Sequence, residues 1–310
     1  MADQSGETKV LKEGKRPIEF LADFSLAVVA LIWGSTFIVV KQSIEQTPVF
    51  SFLFMRFLLA FVLLLLVSLP KLKALDRRHL KDGSILGTLL FLAYASQTFG
   101  LGTTTATATA FITSLYVVLV PILSALYLRK IPGTEAVIAV VLSTAGLALV
   151  TLKGRLSLSF GELLILGCAL LYAVHIILTD KYSRRNDFRL LTMIQIGVVA
   201  MLSLVFSALK DPRTVPQHFD RQLIVSLILT GVFATVVAIG VQTGMQKFTT
   251  PTKAAIIYTL EPVSAIFFGY WLGKEILSAQ QYVGTFLILL AMFVLEIGTY
   301  LKMKREKTGV

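Results

Sequence analysis

Residues 30–43 read ALIWGSTFIVVKQS, and residues 169–182 read ALLYAVHIILTDKY. Both stretches are apolar, carry one aromatic at the same place (Trp33, Tyr172) and meet a charge eight residues later (Lys41, Asp180). A shift of 139 residues lays one phrase on the other, and the same shift lays Arg56 on Gln195. Further along, a shift of 145 residues lays Gln97-Thr98 on Gln242-Thr243, Ala110 on Ala255, Leu115 on Leu260 and Arg129-Lys130 on Lys274-Glu275. Each match alone is weak. Their common order along the chain makes the sequence a tandem duplication. The extra residues of the second copy are expected in the 210–221 connection, KDPRTVPQHFDR.

The surroundings of these phrases say where the chain resides. Of its 310 residues 55% are hydrophobic and only 15% charged, against about a quarter in a soluble domain. Gly83 to Leu128 contains no Asp, Glu, Lys, Arg or His, and Leu190–Leu209, Gln222–Gln246 and Ile276–Leu295 are free of charge. A membrane-spanning helix needs about 20 mostly apolar residues. Ten spans are expected, at 21–41, 47–69, 83–101, 105–128, 134–152, 160–179, 190–209, 222–244, 252–272 and 276–300. Barrel strands would alternate in polarity, which these runs do not. Residues 1–16 carry no apolar core of a signal peptide. The single cysteine, Cys168, excludes an intramolecular disulfide and a cysteine-based metal cluster.

The net charge of +11 is topological. With the N-terminus placed in the cytoplasm, that side collects 21 Lys and Arg, the opposite side seven, and Arg56 lies within a span. Positive residues mark cytoplasmic loops. Both termini are therefore expected inside, in contact with anionic lipid, and nucleic acid is not an expected partner.

Ten spans in two copies make five per copy, an odd number. The second copy must enter the membrane from the opposite side. The expected architecture is an all-α integral membrane protein with ten transmembrane helices as two inverted five-helix repeats: a tail at 1–20, a first repeat at 21–153, a second at 154–301 and a tail at 302–310. Many secondary transporters are built so, with the substrate site between the repeats near the midplane.

ALIWGSTF, the Arg-Phe pair of FMRFLLA, SLYVVLVP in the fourth span and TLEPVSAIFFGYWLGKE at 259–275 resemble the drug/metabolite transporter superfamily, specifically its EamA-type ten-helix permeases. The resemblance covers nearly the whole chain after about residue 20. It implies a bacterial or archaeal inner-membrane carrier with a central cavity, commonly an exporter of amino acids, related metabolites or toxic compounds. The chain departs from the pattern in replacing the second Trp-Gly by Tyr172-Ala173.

Polar residues within the spans are the candidate site, each with a plainer alternative. Arg56 lies about ten residues into the second span, where a lipid-facing charge costs roughly 2.5 kcal/mol or more. It pairs with Glu45 or a helix carbonyl, or it anchors an anionic substrate group. Glu261 precedes Pro262, which lacks an N–H for the carbonyl of Tyr258. A freed carbonyl at membrane depth must find another partner or line a cavity. The Glu261 carboxyl can accept a substrate ammonium, carry a coupling proton or brace helices; its repeat counterpart is Tyr116. Pro121 is expected to kink the fourth span similarly. His175 stands where the first repeat has Thr36, without a second metal ligand at helical spacing. Gln97, Gln195, Gln242, Thr98 and Thr243 bridge helices or line a cavity. Trp33, Tyr172 and Tyr258 complete the candidates; Phe91, Tyr94, Phe99, Phe233 and Trp271 read first as packing. Lys41 and Asp180 are snorkelling interface residues or a pair of gate charges.

No G-x-x-x-x-G-K-[ST] is present to cradle a nucleotide phosphate, and no H-E-x-x-H or G-x-S-x-G supports an enzyme. The leading expectation is a secondary transporter of a small molecule, acting as a monomer, with no metal and no cofactor; coupling to a proton is left open. A lipid-carrier flippase is the alternative.

Overall fold

The computed structural model describes residues 4–128, 133–151, 159–210, 219–274 and 278–308, all helices and their connections; no strand occurs among them. Arg129, Lys130, Glu275 and most of the 210–221 connection lie outside the described residues. The first half comprises α1 (Gln4–Ile44), α2 (Val49–Ser68), α3 (Arg77–Leu101), α4 (Ala106–Thr113), α5 (Tyr116–Leu128) and α6 (Thr134–Thr151). The second comprises α7 (Phe160–Ser183), α8 (Phe188–Lys210), α9 (Arg221–Leu227), a π-helical stretch at Ile228–Val237, α10 (Ala238–Met245), α11 (Pro251–Ile257), α12 (Leu260–Gly273) and α13 (Ala279–Thr308). Joined across their breaks, these are the ten expected spans. Eight segments are long and apolar enough to cross a membrane, and two shorter apolar helices, Thr134–Gly146 and Ala279–Leu295, complete the set. Both tails extend the terminal helices: α1 begins at Gln4 and α13 runs to Thr308.

Local chemistry sets the helix ends. Asp76 accepts the His79 N–H to open α3. Thr105 does the same for Ala108 at α4, and Thr250 for Lys253 at α11. Ser159 and Glu162 form a reciprocal capping box at α7.

Contacts between the halves come in matched sets. α1 lies along α12, and α7 lies along α4 and α5; α3 packs on α7 and α8, while the α9–α10 span packs on α1 and α2. α2 pairs with its own counterpart α8, and α6 with α13. The α2–α8 pair proves the inversion without reference to a membrane. Ser51 at the start of α2 meets Ser207 at the end of α8 (Oγ···Oγ 3.1 Å), and Ser68 at the end of α2 donates to the Arg189 carbonyl at the start of α8 (3.5 Å). Equivalent helices of the two repeats run antiparallel, so the halves are inverted repeats.

Two spans are broken at matching places. The fourth is interrupted at Ser114–Leu115 and the ninth at Tyr258–Thr259. In the ninth, Pro262 leaves the Tyr258 carbonyl to accept from Glu261 N (2.9 Å) and from Tyr116 Oη (3.2 Å). In the fourth, Pro121 lies inside α5, and the interruption stands upstream of it. There the N–H groups of Leu115, Val117 and Val118 bond three residues back, and Ser114 Oγ returns to the Ala110 carbonyl (2.9 Å). Val117 occupies the counterpart of Pro262, so proline does not make the first break.

Candidate functional site

The broken spans meet α1 and α7 at the centre of the bundle. Gly34 makes this approach possible. A Cβ there would lie 2.1 Å from the Glu261 carbonyl oxygen and 2.6 Å from Ser264 Cβ. The helices are instead tied across this crossing by Ser264 Oγ donating to the Leu31 carbonyl (2.7 Å).

Between these helices lies a central cavity with about 690 Å3 of empty space, its open mouth included. Its lining includes Trp33, Thr36, Arg56, Gln97, Tyr116, Tyr172, His175, Gln242, Tyr258 and Glu261. Two sequence candidates, Gln195 and Thr243, are elsewhere. Gln195 is fully buried behind the wall, where it accepts from His175 Nε2 (3.1 Å) and donates to Thr243 Oγ1 (3.1 Å). With Gln195 as acceptor, His175 carries its proton on Nε2. Lys41 and Asp180 also lie off the cavity, at opposite ends of the bundle.

Among the described residues, Arg56 takes neither Glu45 nor a helix carbonyl as partner. Its Nε donates to Thr235 Oγ1 (3.1 Å), its Nη2 reaches Tyr94 Oη (3.4 Å), and its guanidinium lies over the Tyr94 ring at 4.7 Å. Thr235 belongs to the π-helical stretch and donates to the Thr230 carbonyl five residues back (2.8 Å). The same stretch offers the Ala234 carbonyl to Trp33 Nε1 (2.9 Å). Such irregular turns recur at functional sites, because they turn side chains and carbonyls out of helical register. Nothing in the local sequence distinguishes this stretch from an α-helix.

Across the cavity, Tyr116 Oη lies 3.2 Å from Glu261 Oε2 and 3.2 Å from the Tyr258 carbonyl, so its one proton is shared between them. Gln97 donates to Thr113 Oγ1 (3.1 Å), while its counterpart Gln242 faces the Tyr258 hydroxyl, which makes no hydrogen bond among the described residues. The rings group around this space: Trp33–Tyr258 at 5.5 Å, Tyr116–Tyr258 at 6.5 Å and Tyr94–Tyr172 at 5.9 Å between centroids. Tyr94, read first as packing, is therefore a wall residue that bridges Arg56 and Tyr172. Thr98 lines the cavity, and Phe37, Val40, Leu90, Leu101, Ile176 and Ile239 supply its apolar surface. No group of metal-ligating side chains is found among the described residues.

Comparison with known proteins places this geometry. The model of the EamA-like transporter family matches residues 20–152 and again 159–297, one match per repeat. An uncharacterized transporter of Archaeoglobus fulgidus is 39% identical over 276 residues, covering 89% of this chain and 86% of the relative. The uncharacterized inner membrane transporter YedA of Escherichia coli strain K12 is 25% identical over 289 residues, covering 89% and 91%. A solved crystal structure with 17% identity covers 89% of this chain and 98% of its own at a TM-score of 0.74, a likeness of fold.

Proposed function

Since the chain belongs to the EamA-like transporter family, we propose that this multi-pass membrane transporter is a secondary carrier that exports small zwitterions of the amino-acid type by alternating access. The observation that carries this reading is the pair Arg56 and Glu261. Both line one cavity, at 3% and 6% exposure, and neither ion-pairs with the other or with any other described residue. A buried charge without a counter-charge is costly. A bound substrate with a carboxylate toward Arg56 and an ammonium toward Glu261 supplies both counter-charges at once. A guanidinium suits a planar carboxylate, and the surrounding rings suit an ammonium and an apolar side chain. The Tyr258 hydroxyl, beside Gln242, adds one hydrogen bond. A lipid head group rich in phosphate would call for more cations than the single arginine here.

The carrier works as a monomer in the inner membrane with both termini cytoplasmic, the side that collects 21 Lys and Arg against seven. Glu261 is also placed to carry a coupling proton, since Tyr116 Oη can donate to its carboxylate or leave it for the Tyr258 carbonyl.

The test is counterflow in proteoliposomes with phenylalanine, phenethylamine and phenylpropionate as probes. Phenylalanine should show saturable flux and the two singly charged analogues at least tenfold less. Equal flux of either analogue, or no saturable flux of any amino acid tested, would overturn the reading.

A further inference from the structure

Lys41, in the last turn of α1, donates from Nζ to the Thr104 carbonyl at 2.6 Å. Thr104 stands immediately before the cap of α4, the first piece of the broken fourth span. In the second repeat the position of Lys41 holds Asp180, and that of Thr104 holds Thr249, immediately before the cap of α11. An aspartate cannot donate to a carbonyl. Arg184, one turn further along α7, does so instead. Asp180 Oδ1 accepts from its Nη2 (2.7 Å) and Nε (3.2 Å), and Nη2 also donates to the Thr249 carbonyl (3.1 Å). The same tie thus occurs twice, at opposite ends of the molecule, built from different side chains.

Each tie lies on its helix just beyond the residues that line the cavity. Just inside Lys41, α1 contributes Thr36, Phe37 and Val40 to the cavity wall; inside Asp180, α7 contributes His175 and Ile176. On the far side of the second tie, Arg184, Lys247 and Thr249 line an open vestibule of about 1470 Å3 of empty space. Gln42, Ser43 and Thr47 line a smaller one, about 370 Å3, beyond the first.

We propose that Lys41–Thr104 and Asp180–Arg184–Thr249 are the latches of the two gates, and that the transport cycle opens one while the other stays closed. This rests on the alternating-access reading above. Each latch fastens a gate helix to the start of the span that carries Tyr116 or Glu261. A substrate that shifts those residues therefore acts directly on the ties. The ends are unequal. Beside Arg184, Gln246 Nε2 donates to the Ile176 carbonyl, and Lys253 pairs with Asp23 at 2.6 Å. The counterpart of Gln246 is Leu101, which packs with Phe37 in the same apolar cluster. Among the described residues, these polar ties have no like at the Lys41 end.

The experiment places one reporter, Thr36→Cys, in a Cys168→Ala background and measures its modification by an impermeant thiol reagent from each face of oriented vesicles. Lys41→Met should raise the rate from the outer face about tenfold and lower it from the cytoplasmic face; Lys41→Arg should restore both. Arg184→Gln should do the reverse. Tenfold corresponds to about 1.4 kcal/mol. Rates that rise equally from both faces, or stay unchanged in a variant of wild-type yield and monodispersity, overturn the latches. The same one-sided shifts with the faces exchanged uphold the latches and overturn the orientation. One-sided shifts in a protein that fails the counterflow test uphold the latches and remove only the substrate.

Discussion

Substituting Gly34 by alanine tests the crossing on which the site depends. The added methyl would sit 2.1 Å from the Glu261 carbonyl oxygen, 2.6 Å from Ser264 Cβ and 2.9 Å from Ala265 N. A carbon–oxygen contact is comfortable near 3.3 Å, so α1 and α12 must separate by roughly 1 Å. The obstacle is helix backbone, which cannot swing aside as a side-chain tip does. The same separation stretches the 2.7 Å Ser264–Leu31 hydrogen bond to about 3.7 Å, beyond bonding range. Overpacking of this kind costs about 1–3 kcal/mol, and a helix–helix hydrogen bond in a membrane about 0.6 kcal/mol. The sum, about 2–4 kcal/mol, should lower the midpoint of thermal aggregation in detergent by several degrees. Counterflow should fall as well, because the break at Tyr258–Thr259 moves with α12. Gly240→Ala is the control, since a Cβ there meets nothing within 4 Å. A Gly34→Ala protein with wild-type midpoint and flux would refute the argument that this glycine sets the approach of the two helices.

Glu261→Gln keeps shape and hydrogen bonding but removes the charge and the proton; loss of gradient-driven accumulation with exchange retained identifies a proton carrier, and weakened substrate binding in both assays identifies an ammonium site. Near-normal driven transport by a well-expressed Glu261→Ala protein would remove the residue from the site. Arg56→Lys keeps a charge but loses the planar fork, and should raise the KM for phenylalanine about tenfold or more in counterflow; an unchanged KM would exclude Arg56 as the carboxylate anchor. Asp82 is buried and holds Arg185 through two contacts (2.9 and 2.6 Å) and Asn186 through a third (2.7 Å). Asp82→Ala should therefore destabilise by about 1–3 kcal/mol, the value for a buried pair reduced because Arg185 is half exposed, read as a lower aggregation midpoint. Cysteines introduced into 210–221 should react with an impermeant reagent from outside intact cells and those in 70–82 should not; the opposite pattern would overturn the orientation.

Much of the cavity wall was legible because polar side chains are expensive in lipid. In a span of leucine and valine, a glutamine, arginine or glutamate must turn inward, and the inside of one small bundle is one place. That logic brings Arg56, Gln97, Gln242 and Glu261 together without coordinates. It cannot separate a residue on the wall from one behind it, which is why Gln195 was grouped with them. It is also silent on apolar lining: Leu90 and Ile239 look in sequence like residues that face lipid. Tyr94 was undecided for a related reason, since an aromatic body packs equally well in either place and only its contact with Arg56 distinguishes it.

The sequence by itself determined the membrane, the ten spans, the duplication and, through the odd number of helices per copy, the inversion. These follow from hydrophobicity, counting and spacing, which are properties of the chain read in one dimension. Pro262 marked the break in the ninth span in advance; tertiary structure alone decided the other irregular turns and which ends are tied. The interruption at Ser114–Leu115 has no proline at the position of Pro262, the π-helical stretch is written in ordinary apolar residues, and Arg184 substitutes for a lysine at a position where the sequence shows only an aspartate. Each depends on which carbonyl a distant side chain can reach, and that distance exists only after the two repeats have packed against one another.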